Sequence, residues 1–151
     1  MQAAPSRSHP PLPAALSPAA TRLSYAGLIP LVAGALLVWL VRPDARPFAA
    51  AALAAYGALS AAFVGGIHWA LAMRSGATPL FAAGALLAVG AWAAVLMPPA
   101  AGLVVDGALL WAGYAVDRRA YPLHGLAQWL TVRFRFSGAG GFACFLGAAG
   151  T

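Results

Sequence analysis

Lysine is absent from this 151-residue chain: all nine of its basic residues are arginine. Charge of either sign is scarce, since only 8% of residues are charged and three of those are acidic. A soluble domain carries about 25% charged residues, so this chain could not cover a water-facing surface. Its single cysteine, Cys144, excludes an internal disulfide and a cysteine-rich metal site; in an apolar segment it reads as a small packing residue. No glycine-rich phosphate loop precedes a basic helix, and no serine or cysteine has a neighbouring base to activate it. Haem held between helices needs two membrane-embedded histidines, whereas His9 lies in an N-terminal tract and His124 in a connection. Ligands for a metal site are likewise too few. We expect no catalytic, cofactor or metal residues, and no enzymatic activity.

What is present is apolar. Hydrophobic residues make up 62% of the chain, and the mean hydropathy is +0.81. These values predict an all-α integral membrane protein. The net charge of +6 would suggest nucleic-acid binding in a soluble protein. Here the arginines fall between apolar runs, where positive charge sets topology and meets anionic headgroups. The lipid bilayer is the expected partner; nucleic acid is not. Arginine in place of lysine, with abundant Ala, Gly and Pro, looks like GC-rich coding, and so suggests a bacterial source.

Residues 1–22 hold five prolines and no acid, which predicts a disordered tail. A multi-pass domain is expected over 23–151. Apolar runs at about 25–41, 47–73, 78–97 and 100–116 are each long enough to cross a core of about 30 Å. A fifth run, 138–150, is short and glycine-rich, so the bundle has four or five spans. If the spans alternate, Arg7, Arg22, Arg74, Arg118, Arg119, Arg133 and Arg135 share one side and only Arg42 and Arg46 the other. That bias predicts a cytoplasmic amino terminus in the bacterial inner membrane. Before the last span, residues 121–136 set Leu123, Leu126, Leu130 and Phe134 on one helical face. His124, Gln128, Thr131 and Arg135 lie about a third of a turn away. An interfacial amphipathic helix starting at Pro122, with Trp129 at headgroup depth, fits this pattern; leading directly into the last span is the alternative.

The most informative run is FVGGIHWALAM, from Phe63 to Met73. An ionisable residue inside a span suggests function, because a polar group in hydrocarbon must find a partner or cost several kcal/mol. His68 shares a helical stripe with Tyr56 and Ser60, which could line a polar crevice or proton path; a neutral, packed histidine bonded to a neighbouring helix is the other reading. Small residues recur every four positions, Gly57, Ala61 and Gly65 in one row and Ala54, Ala58, Ala62 and Gly66 in the next. Such rows let helices approach closely. Asp106 lies within the fourth run, predicted in the opposite half of the bilayer from His68. Asp117, beside Arg118 and Arg119, reads as a solvated end group, with an ion pair to Arg133 or Arg135 as the alternative.

Three stretches carry a resemblance: LSYAGLIP at Leu23 to Pro30, FVGGIHWALAM, and VDRRA with QWLTVRFRFS between Val116 and Ser137. Together they resemble the transmembrane-protein-69-like family, domain of unknown function 3429, whose members are small multi-pass membrane proteins. The resemblance implies Gly65, Gly66, His68, Trp69, Trp129 and Arg133 as marking positions and implies no activity. It also implies a more robust closing helix than 138–151 offers. From the small-residue rows, short loops and missing catalytic groups we expect a helix-packing or assembly protein, forming a homo-oligomer or joining a membrane-protein partner. A small transporter or proton-conducting protein using the His68 face is the alternative.

Overall fold

The computed structural model describes residues 16–151. They form helices α1 (Pro18–Ala26), α2 (Ile29–Leu40), α3 (Arg46–Ser75), α4 (Thr78–Val95), α5 (Pro99–Leu123) and α6 (Leu130–Ala149), with no strand among the described residues. Proline opens each of the first five helices, at Pro18, Pro30, Pro47, Pro79 and Pro99. At such positions its fixed φ already suits the helix and its missing N–H would have had no partner. Four segments are long and apolar enough to cross a membrane: Pro18–Leu40, Arg46–Ser75, Thr78–Val95 and Pro99–Leu123.

Three expectations need correction. The predicted tail over 1–22 ends earlier, because helix starts at Pro18, where the Ser17 hydroxyl accepts from the Ala20 amide at 3.1 Å and caps it; residues 1–15 lie outside the described residues. The first pass is broken between α1 and α2, since the Pro30 ring would strike the Ala26 carbonyl if the helix ran straight on. The interfacial helix over 121–136 is not formed. Pro122 sits in the last turn of α5, not at a helix start. The chain turns at Gly125, whose φ of +70° needs a glycine, and makes one 3-10 turn at Ala127–Trp129. Residues from Leu130 onward already belong to α6.

From α2 to α6 successive helices run antiparallel, with α3 at the centre touching α2, α4, α5 and α6. Two glycine crossings bring backbones together. A Cβ on Gly65 of α3 would lie 2.7 Å from the Gly84 carbonyl of α4. One on Gly107 of α5 would lie 3.0 Å from the Gly141 carbonyl of α6. In lipid, where apolar side chains gain nothing by leaving the solvent, such close backbone packing is a main source of association. Leu31, Leu53, Leu103 and Leu110 fill the centre of the bundle. Helix α6, which is not among the four segments long and apolar enough to cross a membrane, begins at Leu130, well before residue 138, and runs the length of the bundle. At one end Arg133 meets Asp117; at the other, Gly147 packs on Leu103 and the Trp39 indole donates to the Leu146 carbonyl at 3.0 Å. Alternation of the helices gathers Arg22, Arg74, Arg118, Arg119, Arg133 and Arg135 at one end and leaves Arg42 and Arg46 at the other.

Candidate functional site

Three helices each deliver one polar side chain to a single buried point at the arginine-rich end. The helical rows of α3 and α5 run in step, so that Gly57 meets Asp106, Val64 meets Gly113, and His68 meets Asp117. The His68 Nε2–H donates to Asp117 Oδ1 at 2.8 Å, and the Arg133 Nε–H of α6 donates to Asp117 Oδ2 at 2.7 Å. His68 and Asp117 are fully buried, and Arg133 is only 7% exposed. Each carboxylate oxygen therefore holds a donor from a different helix. Any one of these groups alone would be costly in a membrane, so the three depend on one another.

Asp117 is thus not the solvated end group the sequence suggests. Helix α5 continues beyond it to Leu123, placing it inside the helix. It falls on the buried face with Leu103, Asp106, Gly107, Leu110 and Gly113, while its neighbours Arg118 and Arg119 point outward. Of the two arginines considered for it, Arg133 makes the ion pair. Arg135 is exposed and donates instead to the Tyr25 hydroxyl at 3.2 Å. Two atoms of the cluster, His68 Nδ1 and Arg133 Nη2, are buried with no hydrogen-bond partner among the described residues.

The stripe of Tyr56, Ser60 and His68 divides. Positions four apart drift by about 40° at each step on a helix of 3.6 residues per turn. Tyr56 and Ser60 consequently line a cavity between α1, α3 and α6, whereas His68 turns inward. The Tyr56 hydroxyl donates to the Gly27 carbonyl at 3.1 Å and that of Ser60 to the Tyr56 carbonyl at 2.8 Å. Trp129 and Arg133 line the same cavity.

Other marked residues hold helices together. The Trp69 indole donates to the Phe81 carbonyl at 3.1 Å, and its ring meets the Phe81 ring edge-on at 5.4 Å. Gly65 lies at the α3–α4 crossing, but Gly66 faces outward, and a Cβ there would touch nothing within 4 Å. Asp106 is fully buried, and both its oxygens lack partners among the described residues. It stands eleven residues before Asp117, or about 16 Å along α5, so it takes no part in the His68 cluster. Among the described residues, no three His, Cys, Asp or Glu side chains gather as a metal site would require.

A family model described as "Protein of unknown function (DUF3429)" matches residues 16–149. Comparison with curated proteins and with solved structures finds no match.

Proposed function

The chain belongs to the DUF3429 family of proteins of unknown function, and we propose that it acts in the membrane as a non-enzymatic packing or assembly protein. The observation that carries this reading is the closure of the His68–Asp117–Arg133 cluster. Its acid, base and cation are bonded to one another and buried, which suits a frame better than a reactive centre. The bacterial inner membrane with a cytoplasmic amino terminus is the setting we propose, from the concentration of arginines at one end.

The small-residue rows of α3 are largely used within the chain, against α4 and α5. Gly66 is different, being open to the outside in a stretch where a second helix could approach. A partner or second copy docking there predicts that crosslinking in native membranes yields an adduct heavier than the monomer. Gly66→Trp should reduce that adduct at least several-fold while leaving the protein folded. A wild-type protein found only as a monomer, with no adduct, would sink the assembly reading.

A second reading has its own support, because His68 Nδ1 and both oxygens of Asp106 lack partners among the described residues. Unsatisfied ionisable groups inside a membrane mark proton and ion pathways in pumps and transporters. On this reading, proteoliposomes holding a pH-sensitive dye show proton flux that His68→Ala abolishes and Asp106→Asn lowers. Absence of flux in the wild type would remove it.

A further inference from the structure

The cavity beside the cluster encloses about 870 Å³, within the roughly 300–1,000 Å³ of small-molecule sites. Its walls are mostly apolar, and Leu23, Leu59 and Phe63 on its border are exposed at 74%, 67% and 71%. In a membrane those side chains face acyl chains, so the cavity opens sideways into the bilayer. Along α3 it extends from Tyr56 to Ile67, eleven residues or about 16 Å. That is close to half of a hydrocarbon core of about 30 Å, the depth of a single leaflet.

The two ends of the cavity differ in chemistry. Its deep end is closed by Tyr56, whose hydroxyl is committed to Gly27. Its shallow end, towards the arginine-rich end of the bundle, holds Trp129, Tyr121 and Arg133. Among the described residues Arg133 is the only cation in the wall; it spends Nε on Asp117 and keeps Nη2 buried and without a partner there. A guanidinium with free N–H groups in a water-poor site suits the oxygens of a phosphate. Arg118, Arg119 and Arg135 lie exposed at the same end and add to the attraction for an anion.

We propose that the cavity holds one acyl chain of an anionic phospholipid from the surrounding bilayer, with the lipid phosphate on Arg133. The leaflet-deep apolar channel selects a chain, and the cation at its shallow end sets where the headgroup stops. This site needs no second protein and stands whether or not a partner docks at Gly66.

The test uses the full chain in a neutral maltoside detergent, titrated with dioleoylphosphatidylglycerol or with zwitterionic dioleoylphosphatidylcholine. Binding is read by native mass spectrometry and by the shift of the thermal midpoint. The anionic lipid is expected to bind at least tenfold more tightly and to raise the midpoint. Arg133→Lys keeps the charge but loses the fork, and should weaken that lipid several-fold. Ala62→Trp fills the cavity wall without touching the cluster, and should remove binding of both lipids. Equal binding of the two lipids by the wild type, or no binding, overturns the proposal. So does a folded Ala62→Trp protein that retains the anionic lipid as well as the wild type does.

Discussion

Asp117→Ala is expected to destabilise the protein by about 3–5 kcal/mol, the usual cost of removing one partner from a buried ion pair. The substitution leaves the Arg133 guanidinium without its carboxylate and the fully buried His68 imidazole facing an apolar gap. Asp117→Asn should be milder, at about 1–3 kcal/mol. The amide oxygen can still accept from Arg133 Nε, and its NH2 group can donate to His68 if the imidazole moves its proton from Nε2 to Nδ1. The paired replacement Asp117→Leu with Arg133→Met removes both charges together and should recover much of the loss, because apolar residues of similar size often match a buried ion pair. Thermal midpoints in detergent measure all three. If Asp117→Ala melted with the wild type, the cluster would contribute nothing to the fold, and its support for a structural role would disappear.

The class of the fold is legible in the sequence because it depends on composition. Long uncharged runs must become helices in a bilayer, where every backbone polar group has to be satisfied within the segment. The site is less legible because it depends on which way single residues point. Asp117 beside Arg118 and Arg119 looks like the edge of a span, and charge alone cannot separate it from them. Helical spacing can: counted from Leu103 and Leu110, Asp117 continues the buried face while the two arginines leave it. The same count turns His68 inward and leaves Tyr56 and Ser60 at the cavity. Nothing local in the sequence announces Arg133 as the partner, since Arg135 lies two residues away with the same chemistry; the face of α6 that is buried decides between them. The break at Gly125 also explains why the apparent amphipathic pattern of 121–136 misleads. Its two halves belong to different helices, so the shared faces drawn across them are not shared in space.

Gly65 and Gly66 are adjacent and chemically identical, yet the structure predicts opposite responses to the same substitution. A Cβ on Gly65 would sit 2.7 Å from the Gly84 carbonyl and 3.3 Å from Leu87 Cβ. Gly84 is confined in return, with its own missing Cβ directed 2.6 Å from the Gly65 carbonyl and against the Trp69 ring. The nearest obstacle to a Gly65 side chain is backbone, the Gly84 carbonyl, which cannot rotate aside, so α3 and α4 must separate to admit one. Gly65→Leu should therefore cost at least the 1–3 kcal/mol typical of an overpacked core, and also loosen the Trp69–Phe81 hydrogen bond just beyond the crossing. Gly66→Leu meets open space and replaces a poor helix former with a good one, so its midpoint should equal or slightly exceed that of the wild type. Trp69 fluorescence adds a local reading, since it should change for Gly65→Leu and stay fixed for Gly66→Leu. Equal losses from the two substitutions would mean that Gly65 is not seated against α4 as the structure places it. A loss confined to Gly66→Leu in native membranes, absent in detergent, would instead locate an external helix on that face.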